Sequence, residues 1–433
     1  MIRSPQETQS QVSKIYLSNG LLVLLKEIHT APLISHWVWY RVGSRNEVPG
    51  KTGVSHWVEH MQFKGTEQFP PSVLDRAISR EGGYWNAFTY MDWTTYLETM
   101  PSDKIDLALQ LESDRMTNSL FDSQEVASER NVIISERQGN ENEPLFQLSE
   151  AVQAAAFRVH PYHHQVIGDM ADLKTIQRDT LYEHYRAHYV PSNAVLTMAG
   201  DFSTDKMLAR IRELYEPIAT GNDSRQPVRP EPQSNGEHRL TVEGPGDTTF
   251  IQITHRAPEA KNSDFFAMTV LDSLLTGPMN LNMFGGGISN KTSRLYRALV
   301  ESEIAVSVRG GLQATIDPFL HALTVISHPD HSVEQVLAAV EDEIHRLQDA
   351  PPPKAELERA VKQAKALFAY GSESITNQGF WLGFAEMFDN YEWFNNYVDN
   401  LARVTPEDVQ RAAQTYLQPK NRVLGVYSPT GEN

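Results

Sequence analysis

The chain of 433 residues contains no cysteine. Disulfide bonds, thiolate nucleophiles and cysteine-ligated zinc sites are therefore excluded, and any bound zinc must be held by histidine and carboxylate side chains. No apolar run approaches the roughly 20 residues that a membrane-spanning helix needs, so we expect a soluble protein without a membrane partner. The first ten residues lack the apolar core of a signal peptide. The sequence thus indicates a cytoplasmic protein, or a periplasmic one whose signal has been removed.

Basic residues are also scarce, since 38 Lys and Arg stand against 55 Asp and Glu and give a formal net charge of −17. This balance argues against a nucleic-acid-binding surface. It is compatible with a solvated acidic surface or with a preference for basic peptides. Hydrophobic residues make up 40% of the chain, which is enough for sizeable cores. The length suggests two to three ordinary domains or one larger bilobed unit.

One segment divides the chain into two parts of similar length. Residues 217–237 are rich in proline, glycine and serine and poor in apolar side chains. Such a composition is typical of an interdomain linker, because it neither forms a core nor favours regular structure. We therefore predict an N-terminal domain at 1–216, a linker at 217–237 and a C-terminal domain at 238–433.

The two parts end with similar sequences. Residues 188–200 and 415–427 each contain the end of a polar helix, a Pro-X-Asn turn and an apolar strand. The two turn asparagines, Asn193 and Asn421, lie about half a chain length apart. This similarity indicates an internal duplication whose repeat unit is half of the chain.

The first half alternates strand and helix signals. A turn at 18–20 between two apolar stretches predicts a hairpin, and alternating or helical spacing of apolar residues predicts the other elements. These are strands at 33–42 and 93–100, and helices at about 53–64, 72–81, 103–118 and 123–138. Strands interleaved with pairs of helices predict an α+β fold in which helices cover a sheet.

The segment His56-Trp57-Val58-Glu59-His60 has the spacing of a metal site. In a helix, His56 and His60 are four positions apart and project from one face, and Glu59 shares that side. Two neutral imidazoles can bind one zinc ion while the carboxylate stays beside it. Zinc lowers the pKa of a coordinated water toward 7, and such a carboxylate can accept the proton as the water attacks a carbonyl carbon.

A catalytic zinc site has three protein ligands and one open position, so a third ligand is needed. Glu125, Glu129 and Glu136 follow spacings of four and seven, which keep them close to one face of the helix predicted at 123–138. A carboxylate on a half-buried helix is costly unless a cation compensates its charge. Glu129 and Glu136 are therefore candidates for the surroundings of the zinc.

Each of these signals has an ordinary explanation when it stands alone. About half of all histidine pairs with this spacing are simple surface residues. A single glutamate such as Glu129 commonly forms a salt bridge on a helix. It is the combination of two histidines, Glu59 and a distal acidic helix that favours a metal site.

The order of these motifs resembles the pitrilysin family, which includes insulin-degrading enzyme, the mitochondrial processing peptidase and bacterial two-subunit zinc peptidases. Residues 53–66 resemble the active-site segment of that family, and residues 82–89 resemble its Gly-Gly-x-x-Asn-Ala-x-Thr segment. Residues 129–136 resemble its distal glutamate-containing helix, and the segments 160–162 and 189–200 also fit. The resemblance covers nearly the whole chain and is strongest to the catalytic subunit of the bacterial two-subunit members.

The resemblance implies a zinc-dependent endopeptidase. His56, His60 and Glu136 would bind Zn2+, and Glu59 would be the general base that activates water. Glu129 would be a second acidic residue that supports catalysis from the distal helix. The substrates implied are peptides or unfolded polypeptide segments.

The same resemblance implies a fold and a substrate-binding strand. Two homologous sheet-plus-helix halves are expected to face each other across a cavity. Asn86 and Ala87 would lie on a strand that pairs with an extended peptide. An edge strand suits this role because its backbone forms hydrogen bonds with any sequence.

One departure from the family pattern concerns the second half of the chain. Complete family enzymes carry an arginine and a tyrosine there that bind and polarise the substrate, but the aligned positions hold Val300 and Val306. Arg297 lies one helical turn earlier and is a candidate substitute. We therefore expect the chain to act with a homologous, metal-free subunit that supplies the arginine and tyrosine, or as a homodimer.

Two further alternatives follow from the sequence. The chain could be a non-catalytic structural or processing subunit, although such family members usually have lost part of the metal set. A zinc hydrolase of another substrate class is the third possibility. Three consecutive glycines at 285–287 fit either a substrate-handling loop or a flexible turn.

Overall fold

The computed structural model describes residues 11–222, 227–279, 281 and 289–431, with the side chains of 72–75 left aside. Within these residues, strands form two sheets and helices cover them. No helix in this part of the chain is long and apolar enough to cross a membrane.

The strands are β1 (Ser13–Tyr16), β2 (Leu22–Glu27), β3 (Leu33–Tyr40), β4 (Tyr84–Thr89), β5 (Thr94–Pro101), β6 (Ala194–Gly200), β7 (His238–Gly244), β8 (Phe250–Arg256), β9 (Ala305–Leu312), β10 (Leu320–Ser327) and β11 (Arg422–Pro429). The helices of the first half are α1 (Val54–Met61), α2 (Pro71–Arg80), α3 (Ile105–Asn118), α4 (Ser123–Glu141), α5 (Pro144–Ala156), α6 (Met170–Thr175), α7 (Arg178–His188) and α8 (Thr204–Tyr215). Those of the second half are α9 (Phe265–Thr276), α10 (Val333–Asp349), α11 (Lys354–Tyr370), α12 (Ile375–Phe388), α13 (Glu392–Asn395), α14 (Tyr397–Arg403) and α15 (Pro406–Tyr416).

The two sheets share the order of five strands. The first has the order β1-β2-β6-β3-β5-β4, and the second has the order β7-β11-β8-β10-β9. Each contains one parallel pair, β2 with β6 and β7 with β11, beside antiparallel neighbours. If β1 is set aside, the strands of both sheets follow the same spatial order. This agreement bears out the α+β fold with two homologous halves.

The halves exchange a helix. Helix α12 of the second half packs on β3 and β6, and helix α5 of the first half packs on β7, β8 and β11. As a result β3 is buried on both faces, with Trp37 and Trp39 against α12 and with Val38 and Tyr40 against the helices of its own half. A strand covered on both faces is apolar along its length rather than alternating, which explains the aromatic run in β3.

A polar contact also joins the halves. Asp317, in the connection between β9 and β10, accepts hydrogen bonds from Arg45 Nε at 2.6 Å and from His160 Nε2 at 3.1 Å. Burial alone would raise the pKa of Asp317, but the His160 hydrogen bond and the Arg45 charge lower it. The 160–162 segment, noted above for its resemblance, therefore helps to hold the second half.

The predicted elements of the first half agree closely with those in the structure. The hairpin joins β1 and β2, and the helix expected at 53–64 is α1 followed by one 3-10 turn, Gln62–Lys64. Helix α8 ends at Tyr215 and β7 begins at His238, while the domain boundaries themselves stay predictions. The glycines at 285–287 lie outside the described residues.

Candidate metal centre

Helix α1 carries both histidines and is oriented by its buried face. The helix begins after Gly53, whose φ of 84° is left-handed; a side chain there would clash with the backbone of residues 167 and 168. The apolar residues that it buries are Val54, Trp57, Val58 and Met61. His56 and His60 project together, with ring centroids 4.6 Å apart.

Helix α4 brings the acidic residues to α1. Asp122 caps its first turn by accepting two backbone N–H groups. The Arg130 guanidinium lies 4.7 Å from the Trp57 ring centroid and donates to two backbone carbonyls in and just after α6, at 2.5 and 2.6 Å. These contacts set the position of α4, so that Glu129 and Glu136 face the histidines of α1.

The donor atoms of His56, His60 and Glu136 converge. Each histidine Nε2 lies 3.8 Å from Glu136 Oε2, and the three ligand atoms are within 4.8 Å of one another. Two donors that each lie about 2.1 Å from one ion are at most about 4.2 Å apart, so both distances suit a shared ion. Two histidines and one glutamate leave a fourth position open, which is the pattern of catalytic zinc.

The two imidazoles differ in their surroundings. Burial and the neighbouring His60 lower the pKa of His56 to about 3, which keeps the ring neutral and able to bind a metal. Burial alone would also lower the pKa of His60, but its hydrogen bond to Glu129 and the charge of Glu59 raise it. The carboxylates around His60 thus favour positive charge, which a zinc ion supplies.

Glu59 stands beside the donor set and is not part of it. The residue is only 8% exposed, and its Oε2 accepts a hydrogen bond from Thr89 Oγ1 at 2.7 Å. Burial raises the pKa of the Glu59 carboxyl, although the Thr89 hydrogen bond opposes this effect. A raised pKa makes a carboxylate a better proton acceptor near neutral pH.

Glu129 contacts the metal centre through His60. Its Oε1 lies 2.8 Å from His60 Nδ1, and its Oε2 lies 2.5 Å from Lys64 Nζ. A carboxylate at Nδ1 fixes the imidazole orientation and leaves Nε2 free for a metal. The supporting role of Glu129 in catalysis stays a prediction. Glu125, the third acidic residue of the predicted stripe, lies 3.9 Å from Lys64.

Asn86 and Ala87 lie on β4, as the sequence predicted. In the described part of the chain, β4 pairs only with β5 and forms the edge of its sheet. Asn86 Oδ1 accepts the Ala87 N–H at 2.9 Å, and Asn86 Nδ2 donates to Tyr84 Oη at 3.1 Å. The strand ends at Thr89, which contacts Glu59. The role of Asn86 and Ala87 in substrate binding stays a prediction.

The second-half positions discussed above lie in and after a π-helical turn, Tyr296–Val300. Val300 is half-buried, Arg297 is exposed in the same turn, and Val306 is 57% exposed on β9. Neither valine can donate a hydrogen bond from its side chain. A cavity of about 750 Å³ near the linker, lined by residues such as Glu231 and Arg256, does not include the metal-centre residues.

Three contacts of the metal centre were not predicted from the sequence. Lys64 follows His60 by four positions, so helical spacing could have identified it as a neighbour of the metal face. Thr89 ends the Gly-Gly-x-x-Asn-Ala-x-Thr segment at 82–89, so that motif marked the residue but not its contact with Glu59. Arg130 gave no such signal, because its contact with Trp57 joins segments that are far apart in the sequence.

Comparison with known proteins agrees with this geometry. A family model described as Insulinase (Peptidase family M16) matches residues 22–170, and one described as Peptidase M16 inactive domain matches residues 175–364. An uncharacterised zinc protease of Streptomyces coelicolor is 26% identical over 420 residues, covering 96% of this chain and 89% of that protein. The mitochondrial-processing peptidase subunit beta of Lentinula edodes is 25% identical over 419 residues, covering 95% of this chain and 88% of that protein.

A solved structure shows the same fold. The crystal structure of a protease from Helicobacter pylori has a TM-score of 0.89 at 24% identity and covers 97% of this chain and 100% of that chain. The chain therefore belongs to peptidase family M16, the insulinase or pitrilysin family of zinc proteases. The predicted family and fold are confirmed, and zinc is the metal that the relatives' names and the donor set agree on.

Proposed function

We propose that the protein is a zinc-dependent endopeptidase that hydrolyses peptides or unfolded polypeptide segments. The observation that carries this proposal is the convergence of His56, His60 and Glu136, with the buried carboxylate of Glu59 beside them. A donor set of two histidines and a glutamate is a zinc set with an open position. The adjoining carboxylate is suited to accept a proton from water.

His56, His60 and Glu136 are the proposed zinc ligands. When bound, zinc supplies Lewis-acid polarisation of the scissile carbonyl and makes water more acidic. Glu59 Oε1 accepts a proton as the water oxygen bonds to the carbonyl carbon, while Oε2 is held by Thr89. Glu59 then returns this proton to the amide nitrogen as the C–N bond breaks. Glu129 holds the ring of His60 in place throughout.

The edge of β4 that faces away from β5 is the proposed binding place for the substrate backbone. A peptide added beside Asn86 and Ala87 would extend the sheet and form hydrogen bonds without regard to side-chain identity. Because β4 ends at Thr89, this strand leads the peptide to Glu59. Such main-chain recognition suits an enzyme acting on extended segments of differing sequence.

Zinc binding is the first test of this proposal. We expect one zinc ion per chain, and we expect Glu136→Gln to weaken zinc affinity more than the roughly 10- to 100-fold loss typical of an outer-shell change. The matched control is Glu125→Gln on the same helix, which should leave the affinity unchanged. Chelator competition measures the affinities. Equal affinities in the two variants would contradict the proposed ligand set.

Dependence on a partner is the second test. Val300 and Val306 cannot supply the hydrogen bonds of an arginine and a tyrosine, so we propose that a homologous, metal-free subunit supplies them. Mixing the chain with a co-purifying homologous chain should raise the rate of peptide cleavage by at least about 100-fold, because one transition-state donor alone is worth about 100- to 1,000-fold. Full activity of the purified chain alone, as a monomer or homodimer, would contradict this part.

If the purified chain binds zinc but cleaves no peptide with or without such a subunit, the second candidate function gains support. That candidate is a non-catalytic subunit of a peptidase-like complex. One observation favours this candidate: the family model that matches residues 175–364 is described as an inactive domain.

A further inference from the structure

The N-terminus of α1, the helix that carries both histidines, is not capped by the side chain of its own N-cap residue. The first N–H groups of a helix need acceptors from outside the helix, and the residue at the N-cap usually supplies one. Here the N-cap is Gly53, which has no side chain to do so. Glu47 supplies both acceptors from the preceding loop, because its Oε2 and Oε1 each lie 2.8 Å from the N atoms of Gly53 and Ser55.

Glu47 is itself fixed from a third segment. Its side chain is fully buried, and its Oε2 lies 2.9 Å from His164 Nε2. Burying a carboxylate is costly unless hydrogen bonds and positive charge compensate it. Two backbone N–H groups, the positive end of the helix dipole and the histidine provide that compensation. Both carboxylate oxygens of Glu47 are therefore engaged, one by Ser55 and the other by Gly53 and His164.

The segment that contains His164 is also bound to the start of the helix by other contacts. Asp172 Oδ2 accepts hydrogen bonds from Thr52 N at 2.9 Å and from Thr52 Oγ1 at 2.7 Å. The N–H of Asp169 donates to Thr52 Oγ1 at 2.8 Å. Arg130 of α4 binds backbone carbonyls of this same region. The beginning of α1 and the helix that carries Glu136 are therefore both attached to one segment of the chain.

The two proposed ligands of α1 are held in different ways. The ring of His60 is fixed by Glu129 at its Nδ1. The Nδ1 of His56 is buried and has no hydrogen-bond partner among the described residues. The position of the His56 ring therefore depends on the backbone of the first turn of α1, which is the turn that Glu47 caps.

We infer that Glu47, held by His164, is a positioning residue that places His56 for zinc binding. Glu129 positions His60 by binding its ring, whereas Glu47 positions His56 by binding the backbone at the start of α1. Glu47 is not one of the proposed zinc ligands, and its carboxylate oxygens bind the backbone of α1 and His164. The inference rests on the proposed function, since it assigns a role in the same zinc site.

The test compares two broken carboxylate–histidine pairs. In Glu47→Gln only one oxygen remains to accept two N–H groups, and we expect zinc affinity to fall by about tenfold. The matched control is Asp272→Asn, which breaks the buried Asp272–His321 pair of 2.8 Å in the second half. This control should lower the thermal midpoint and leave zinc affinity unchanged. The zinc affinities of the variants are measured by chelator competition at a temperature where all of them are folded.

A second readout reports geometry directly. The visible spectrum of the cobalt-substituted protein reflects the arrangement of the ligands, and it should change in Glu47→Gln and not in Asp272→Asn. If Glu47→Gln does not fold, His164→Ala keeps the carboxylate and should show the same change with a smaller loss of affinity. If both single variants fold, the double variant Glu47→Gln/His164→Ala should lose little more zinc affinity than Glu47→Gln alone. The reason is that the two residues act through one contact.

The outcomes separate this inference from the proposed function. If the wild type binds zinc and cleaves peptide while Glu47→Gln keeps the wild-type affinity and cobalt spectrum, the positioning role is overturned and the peptidase proposal stands. If the wild type binds no zinc, both are overturned. Equal losses of zinc affinity in Glu47→Gln and Asp272→Asn would reduce Glu47 to a general contributor to stability and would also overturn the inference.

Discussion

Glu59→Gln is expected to lower kcat for peptide cleavage by about 1,000-fold, within the range that general-base catalysis supplies, and to leave zinc bound. Glutamine has nearly the same shape as glutamate, and its amide oxygen can still accept the Thr89 hydroxyl. It cannot take a proton from water. Steady-state cleavage of a quenched fluorescent peptide, with zinc content measured on the same samples, provides the test.

The control for this prediction separates chemistry from binding. In the proposed mechanism Glu59 acts on the attacking water, so its loss should appear in kcat while KM and zinc affinity change little. A loss of zinc in Glu59→Gln would mean that Glu59 serves as a ligand. Wild-type kcat with zinc bound would mean that another group takes the proton, and the mechanism proposed above would be wrong.

The sequence predicts those parts of the metal centre that depend on local spacing. His56, Glu59 and His60 lie within two turns of one helix, so their common side follows from helix geometry alone. Glu136 is far from them in the chain, and only the acidic stripe of α4 and the family resemblance point to it. The structure then brings its Oε2 to 3.8 Å from both histidines.

Other contacts could not be predicted because they depend on tertiary packing. Glu47 and His164 are 117 positions apart, and neither belongs to a spacing pattern. The exchange of α5 and α12 is similar, because helical periodicity shows that a helix has a buried face but not which sheet covers it. The aromatic character of β3 was a local signal of burial on both faces, but it did not identify α12 as the partner.

Among the described residues the group of possible metal ligands lies in the first half, and a comparison of the two halves gives a reason for this. Helix α9 follows β8 as α1 follows β3, and both pack beside a sheet with the same order of five strands. However, ten of the 12 residues of α9 are buried, and it contains neither histidine nor glutamate. A helix that is buried all round serves a core rather than a site. The second half thus keeps the fold while its helix at this position has become part of the core.

Gly383→Ala is expected to reduce the free energy of unfolding by about 3 kcal/mol, at the upper end of the usual cost of overpacking. A Cβ at this position of α12 would overlap the indole ring of Trp39. That ring cannot move aside, because it is fully buried between Trp37, Trp93 and Phe380 at centroid distances of 5.1 to 5.5 Å. Urea unfolding, followed by tryptophan fluorescence, measures the change.

The matched control is Gly139→Ala, a helical glycine of α4 whose added Cβ would have no atom within 4 Å apart from its chain neighbours and the backbone of its own helix turns. This change should stabilise the protein by up to about 1 kcal/mol, because alanine favours a helix more than glycine does. Opposite signs at the two glycines would show that the loss at Gly383 comes from the contact with β3 and not from helix propensity. A neutral Gly383→Ala would mean that α12 does not lie closely on the first sheet. Because α12 belongs to the second half and β3 to the first, the loss of this contact should weaken the packing of the two halves on each other.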